Sequence, residues 1–176
     1  MGLGPQVVVR SAWPGDWPAV AGLLVELGRG VASGTAGDPT HQMQFAGHLR
    51  RLDSVTLVAE AQTGMIGAPG SGQADVVGVL DMEYHQRLGD HRPQARVNDV
   101  VVTEPARGQG VGEALLRRGE ELARKRGCFR MTLVTAGWRD ATHRFYDRQG
   151  WGDYGKWFVK PLTDDVAASG QPLDDN

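Results

Sequence analysis

The run Val100-Val101-Val102-Thr103-Glu104-Pro105-Ala106-Arg107-Gly108-Gln109-Gly110-Val111-Gly112 constrains this chain more than any other stretch. Apolar β-branched residues stop at a Glu-Pro turn, the chain passes through a glycine-rich basic loop, and a helical pattern from Glu113 to Arg126 follows directly. Strand, loop and helix start therefore come in immediate succession. The first N–H groups of a helix lack intrahelical partners and the macrodipole adds partial positive charge, so such a junction suits an anion such as a phosphate. Gly108, Gly110 and Gly112 let the backbone come close, and Arg107 adds a guanidinium fork that matches phosphate oxygens. Glycine-rich turns also serve simply to pack a helix on a strand, and the spacing alone leaves both uses open.

Two familiar phosphate loops do not fit. A P-loop ends in Gly-Lys-Ser/Thr, whereas this loop ends Gly110-Val111-Gly112-Glu113, with no lysine and no hydroxyl for a metal. A dinucleotide fold places its glycines at the first strand–helix turn, and here they follow the fourth strand-like run.

At 176 residues the chain is expected to form one domain with a substantial core. A net charge of −2 gives no electrostatic reason to expect nucleic acid as a partner. The single Cys128 excludes an intrachain disulfide, and the five histidines show no metal-ligand spacing, so no metal is expected. No apolar run approaches the roughly 20 residues that span a bilayer, and Met1-Gly2-Leu3-Gly4-Pro5 lacks the regions of a signal peptide. The expectation is a cytoplasmic protein without a membrane partner.

Along the chain, Gln6 to Arg10 reads as a strand, followed by a turn at Trp13-Pro14-Gly15-Asp16. Val20, Leu23, Leu24 and Leu27 recur at helical spacing before Gly28, and Pro39 opens a second helix whose stripe is Phe45, Leu49 and Leu52. Val55 to Glu60, Asp75 to Tyr84 and Arg96 to Thr103 read as strands joined without room for crossover helices, hence antiparallel. Gly78 inside the middle one suggests a bulge or a close approach. After the helix that ends at Gly127 come a strand from Cys128 to Thr135, a helix from Arg139 to Gln149, and a strand from Lys156 to Lys160. Residues 163–176 are acidic and apolar-poor, the composition of a disordered tail, which leaves residues 1–162 as the folded domain. The order β-α-α-β-β-β-α-β-α-β predicts an α/β fold: a central, mostly antiparallel sheet with helices on both faces.

Arg107-x-x-Gly110-x-Gly112 after the valine-rich strand resembles the pyrophosphate-binding motif of the GNAT superfamily of acyl-CoA-dependent N-acyltransferases. A second stretch, Arg139-Asp140-Ala141-Thr142-His143-Arg144-Phe145-Tyr146 with Gly150-Trp151, is similar to that superfamily's C-terminal motif. Arg139 and Thr142 depart from it, standing where the family usually has Asn and Ala. The resemblance implies a GNAT-like fold of the same element order and acetyl-CoA as cosubstrate. It puts the cofactor arm against Val100, Val101 and Val102, with backbone contacts at Val100 and Val102, and the pyrophosphate on Arg107, Gly108, Gln109, Gly110, Val111 and Gly112. It makes Tyr146, beside the sulfur, the acid for the departing thiolate.

The general base is less determined. Relatives often carry Glu-Asp where this chain has Asn98-Asp99, and an amide cannot take a proton. Asp99 can, but successive strand residues face opposite sides, so it serves only if a bulge turns it toward the site. Glu83 and Asp81 on the neighbouring strand are the alternatives, acting through water. The function implied is transfer of an acetyl group from acetyl-CoA to a primary amine, of a small molecule or a protein, by direct attack in a ternary complex. The other reading is an acyl-CoA-binding regulatory domain without turnover. The family also makes a homodimer an expectation.

Overall fold

Among the described residues, strands whose central members bury both faces build a five-stranded sheet, its strands side by side in chain order. They are β1 (Val7–Ser11), β2 (Ser54–Ala61), β3 (Asp75–His85), β4 (Gln94–Val102) and β5 (Met131–Thr132). Neighbours run antiparallel from β1 to β4, and β5 joins β4 in parallel, as a returning crossover helix requires. The structure, a computed structural model, describes residues 7–28, 37–61, 75–135 and 140–155. The chain divides into two compact units, Met1–Leu133 and Val134–Asn176.

Helices α1 (Trp17–Leu27), α2 (Pro39–His48) and α3 (Val111–Lys125) belong to the first unit, and α4 (Asp140–Arg148) to the second. Gly28 closes α1 at φ 82°, its N–H returning to Leu24 and Val25. Asp38 starts α2 by accepting the N–H of Thr40 at 2.8 Å, with Pro39 in the first helical position.

Cross-strand partners share a face, so the register fixes what each face presents. Val58, Val79 and Val101 lie opposite one another and pack with Trp17, Val20, Ala21, Leu23 and Phe45 of α1 and α2. On the other face Leu80 and Met82 meet α3 at Gly119, where a Cβ would lie 3.5 Å from the Met82 sulfur. Leu57, Leu80, Met82, Leu115 and Leu116 are almost wholly buried, each such side chain contributing about 1.5–3 kcal/mol relative to exposure. At Gly78 a Cβ would lie 3.0 Å from Leu115 and 3.2 Å from the Val101 carbonyl. Both features expected there are present, since the β2–β3 register also shifts beside it, between Ala59 and Glu60.

Three sequence expectations need correction in extent. Helix α2 stops at His48, so Leu49 packs only partly on the core and Leu52, which was to complete the stripe, is exposed in the following turn. Strand β5 spans Met131–Thr132 rather than Cys128 to Thr135; Phe129 stays exposed, with the guanidinium of Arg130 5.0 Å from its ring centre. The strands β1 to β4 are each displaced or lengthened by a residue or two. The strand expected at Lys156 to Lys160 and the tail at 163–176 lie outside the described residues.

At the β1 side of the sheet, Asp16 is buried and accepts both terminal guanidinium nitrogens of Arg10, at 2.7 and 2.8 Å. The Asp16 hydrogen bond, reinforced by Glu60, holds the Arg10 pKa above its ordinary value. This ion network fixes the turn into α1 and lies at the opposite edge from β5.

Candidate active site

Strand β4 pairs with β3 along its whole length but with β5 only at Ala95–Met131 and Arg96–Thr132. Pairing of the two parallel strands ends there, and from Val100 to Val102 the second edge of β4 has no partner strand among the described residues. The ladder fixes which groups point there. Thr103 N–H donates to the Val77 carbonyl at 2.9 Å, so Val102–Gly78 is a non-hydrogen-bonded pair. By alternation so is Val100–Leu80, and the N–H and C=O groups of Val100 and Val102 point away from β3 to the open edge. Val101 instead bonds to β3 and turns its side chain into the core under α1. One of these edge groups has a local partner, because Arg107 Nε donates to the Val102 carbonyl at 2.9 Å.

The edge leads into the glycine loop. After a 3-10 turn at Glu104–Ala106, Gly108 and Gly110 adopt φ 75° and 82°, and α3 begins at Val111 with no side-chain cap on its free N–H groups. A Cβ on Gly108 or Gly110 would meet nothing within 4 Å, so it is the left-handed backbone and not close packing that calls for glycine. That disposes of helix–strand packing as the reason for these two glycines. Gln109 is tied back by its amide to the Pro105 carbonyl at 2.8 Å. Glu26, near the end of α1, steadies the loop from below, accepting the Thr103 hydroxyl at 2.7 Å and lying 3.5 Å from Arg107. The result is an open strand edge continuous with an uncapped helix start, the arrangement that binds an extended chain ending in phosphates.

Beside this edge, β4 carries a bulge. Asp81 pairs with Asp99 and Met82 with Val97, leaving Asn98 as the inserted residue. Asp99 therefore stands opposite Asp81, on the face that α1 and α2 cover. Glu83 lies on the same face, 3.8 Å from Arg51. Asp81 is the centre of the group. His48 Nε2 lies 2.8 Å from its Oδ1, the Thr56 hydroxyl donates to the same oxygen at 2.8 Å, and the Asn98 amide donates to Oδ2 at 3.1 Å. Sequence inspection brought out Asp81, Asp99 and Glu83 but missed His48 and Thr56. No local pattern marks them, since their role depends on α2 crossing β3.

Tyr146 belongs to the second unit. It is half-buried in α4, its ring centre 5.3 Å from Phe145 and 5.8 Å from Trp151. Its carbonyl accepts the Trp151 N–H at 3.1 Å, which folds the Gly150-Trp151 turn back onto the helix. Cys128 is half-buried, and burial pushes its thiol pKa up, the wrong direction for a nucleophile. Among the described residues no cluster of His, Cys, Asp or Glu is arranged to hold a metal, and no helix is long and apolar enough to cross a membrane.

The sequence profile of the acetyltransferase (GNAT) family matches residues 35–151. Glucosamine 6-phosphate N-acetyltransferase 1 of Oryza sativa is 38% identical over 82 residues, covering 46% of this chain and 44% of that one. Aminoalkylphosphonate N-acetyltransferase of Salmonella typhimurium is 34% identical over 88 residues, covering 50% of this chain and 57% of that one. The chain thus spans about half the length of the curated relatives it matches. Among solved structures, a transcriptional regulator from Bacillus halodurans superposes with a TM-score of 0.74 over 89% of this chain and 100% of its own, at 23% identity.

Proposed function

Since this chain belongs to the acetyltransferase (GNAT) family, we propose that it transfers an acetyl group from acetyl-CoA to a primary amine by direct attack in a ternary complex. The observation that carries this reading is the continuity of the open Val100–Val102 edge with the uncapped start of α3. The amides of the pantetheine arm add to that edge as a further strand would, and the pyrophosphate takes the N–H groups from Gly108 to Gly112. Arg107 exchanges its bond with the Val102 carbonyl for the phosphate oxygens, freeing that carbonyl for the arm. The Val100 N–H polarises the thioester carbonyl as charge develops on its oxygen. Asp99 and Glu83 draw the acceptor's ammonium to the same face, and Tyr146 supplies the proton to the departing thiolate.

The named substrates of the two curated relatives, glucosamine 6-phosphate and aminoalkylphosphonates, are small amines that carry a phosphorus oxyanion. They are the first acceptors to assay. Thiol release from acetyl-CoA should depend on the amine, with the acetylated amine identified by mass spectrometry. Acetyl-CoA binding without thiol release for any amine, small or peptidic, would replace this reading by that of a regulatory acyl-CoA-binding domain.

A further inference from the structure

The carboxylate of Asp81 offers only acceptors, so the contact at 2.8 Å requires the hydrogen of the His48 ring to sit on Nε2. The lone pair is then on Nδ1. That atom has no hydrogen-bond partner among the described residues, and the side chain is 30% exposed. Asp81, only 16% exposed, already accepts from His48, Thr56 and Asn98, so both its oxygens are engaged. A carboxylate that fixes an imidazole tautomer while the far nitrogen stays open is the arrangement that makes histidine a base. The location also fits. Asp81 faces Asp99, the residue before Val100, so it stands one strand spacing, about 4.7–4.9 Å, from β4; an acyl arm on the far edge of β4 lies one further spacing away, a gap for the acceptor amine and one water to bridge.

The geometry points to His48 as the group that deprotonates the acceptor amine, with Asp81 as its positioning residue; this rests on the transferase reading above. The ammonium gives one proton to His48 Nδ1, directly or through one water. The neutral nitrogen forms the C–N bond at the thioester carbonyl. As the C–S bond breaks, the nitrogen gives up a second proton and the thiolate takes one up, while His48 returns its own to solvent. Ammonium and thioester thus become amide, thiol and one released proton. Charged groups facing the dyad are Asp53 and Arg51 in the turn after α2, Glu83 on β3, and Arg96 and Asp99 on β4.

The test compares wild type, His48→Gln, Asp81→Asn and, as a control on the same helix, His41→Gln. The last removes a second histidine that also lies beside an aspartate, 3.2 Å from Asp38. Each is assayed across pH with acetyl-CoA and either glucosamine 6-phosphate or 2-aminoethylphosphonate, and acetyl-CoA binding is followed by thermal shift. His48→Gln should lose about 10²–10⁴-fold in kcat, with the rise of kcat/KM displaced to higher pH, where the acceptor amine sheds its own proton, and with the acetyl-CoA shift retained. In Asp81→Asn the nitrogen-15 signals of His48 should change from the Nε2–H tautomer to a mixture, a readout that folding alone does not move. His41→Gln should keep the wild-type pH profile. If His48→Gln transfers at the wild-type rate with the wild-type pH profile, this assignment falls and the transferase reading stands. Should the wild type itself fail to bind acetyl-CoA, both fall together.

Discussion

Asp81 and Asp99 stand directly opposite each other across the β3–β4 ladder, where the bulge at Asn98 brings them onto one face. Like charges in that position oppose pairing of the strands. Donors from His48, Thr56 and Asn98 are gathered on Asp81 and offset that repulsion, and in the proposed site the acceptor's ammonium approaches on the Asp99 side. Replacing Asp99 by Asn should therefore raise KM for the amine by roughly 10-fold or more, the worth of a charge-assisted hydrogen bond of about 1.5–3 kcal/mol. Acetyl-CoA affinity should not change. Steady-state kinetics with each substrate varied separately measures both, and a rise in KM for acetyl-CoA alone would contradict the placement.

Arg107 is exposed, and among the described residues it bonds only locally, to the Val102 carbonyl and weakly to Glu26. Arg107→Ala should leave stability nearly unchanged and weaken acetyl-CoA binding by about 10–100-fold. Because the contact is ionic, the deficit should shrink as salt rises. Titration calorimetry at two ionic strengths reads both effects.

Two glycines where α3 meets the sheet, Gly78 on β3 and Gly119 on α3, should respond in opposite directions. At Gly78 a Cβ would lie 3.0–3.3 Å from Leu115, the Val101 carbonyl and Val111, so Gly78→Val should overpack and destabilise by about 1–3 kcal/mol. At Gly119 the nearest atoms, on Met82 and Leu80, are at ordinary contact distances of 3.5–3.7 Å. Gly119→Ala in mid-helix should stabilise by about 0.5–1 kcal/mol. Urea unfolding measures both; destabilisation by Gly119→Ala would mean that α3 sits closer to the sheet than described.

The parts of this molecule written in local sequence are those a single residue type must satisfy. Gly108 and Gly110 announce themselves because only glycine takes their backbone angles at little cost. The apolar repeat of α3 is legible too: Val111, Leu115, Leu116 and Ala123 are buried, while Leu122, which the helical spacing sets in line with Val111 and Leu115, is only partly so. What depends on contacts between distant segments was not legible. Asn98 carries no mark of a bulge, and nothing around His48 shows that Asp81, 33 residues later, will face it. Leu52 and Phe129 misled for the converse reason: each continues an apolar pattern after the helix or strand that would use it has ended or before it begins.

Alkaline pH should weaken the fold through Cys128 and Tyr84. Burial raises the pKa of both groups, and for Tyr84 the neighbouring Cys128 adds to it. The folded state therefore keeps protons that the unfolded chain has already released, so stability falls as pH rises past the unfolded thiol value of about 8.5 and later the unfolded phenol value of about 10. The first part of the loss should vanish in Cys128→Ser. At pH 8, iodoacetamide should alkylate Cys128 more slowly than a small free thiol; equal rates would contradict the burial argument.

The central claim is that the strand edge and helix start bind acetyl-CoA, and the midpoint of thermal unfolding with and without it tests that most directly. Gly112 has no positive φ and lies in the first turn of α3, so Gly112→Asp keeps the backbone and even suits the helix dipole while repelling a phosphate. Wild type at about 100 times the dissociation constant should rise by about 5–10 °C. Gly112→Asp should match the wild type without ligand and show little or no rise with it. An equal rise in both proteins would place the cofactor elsewhere, and no rise in either at saturating acetyl-CoA would contradict the account.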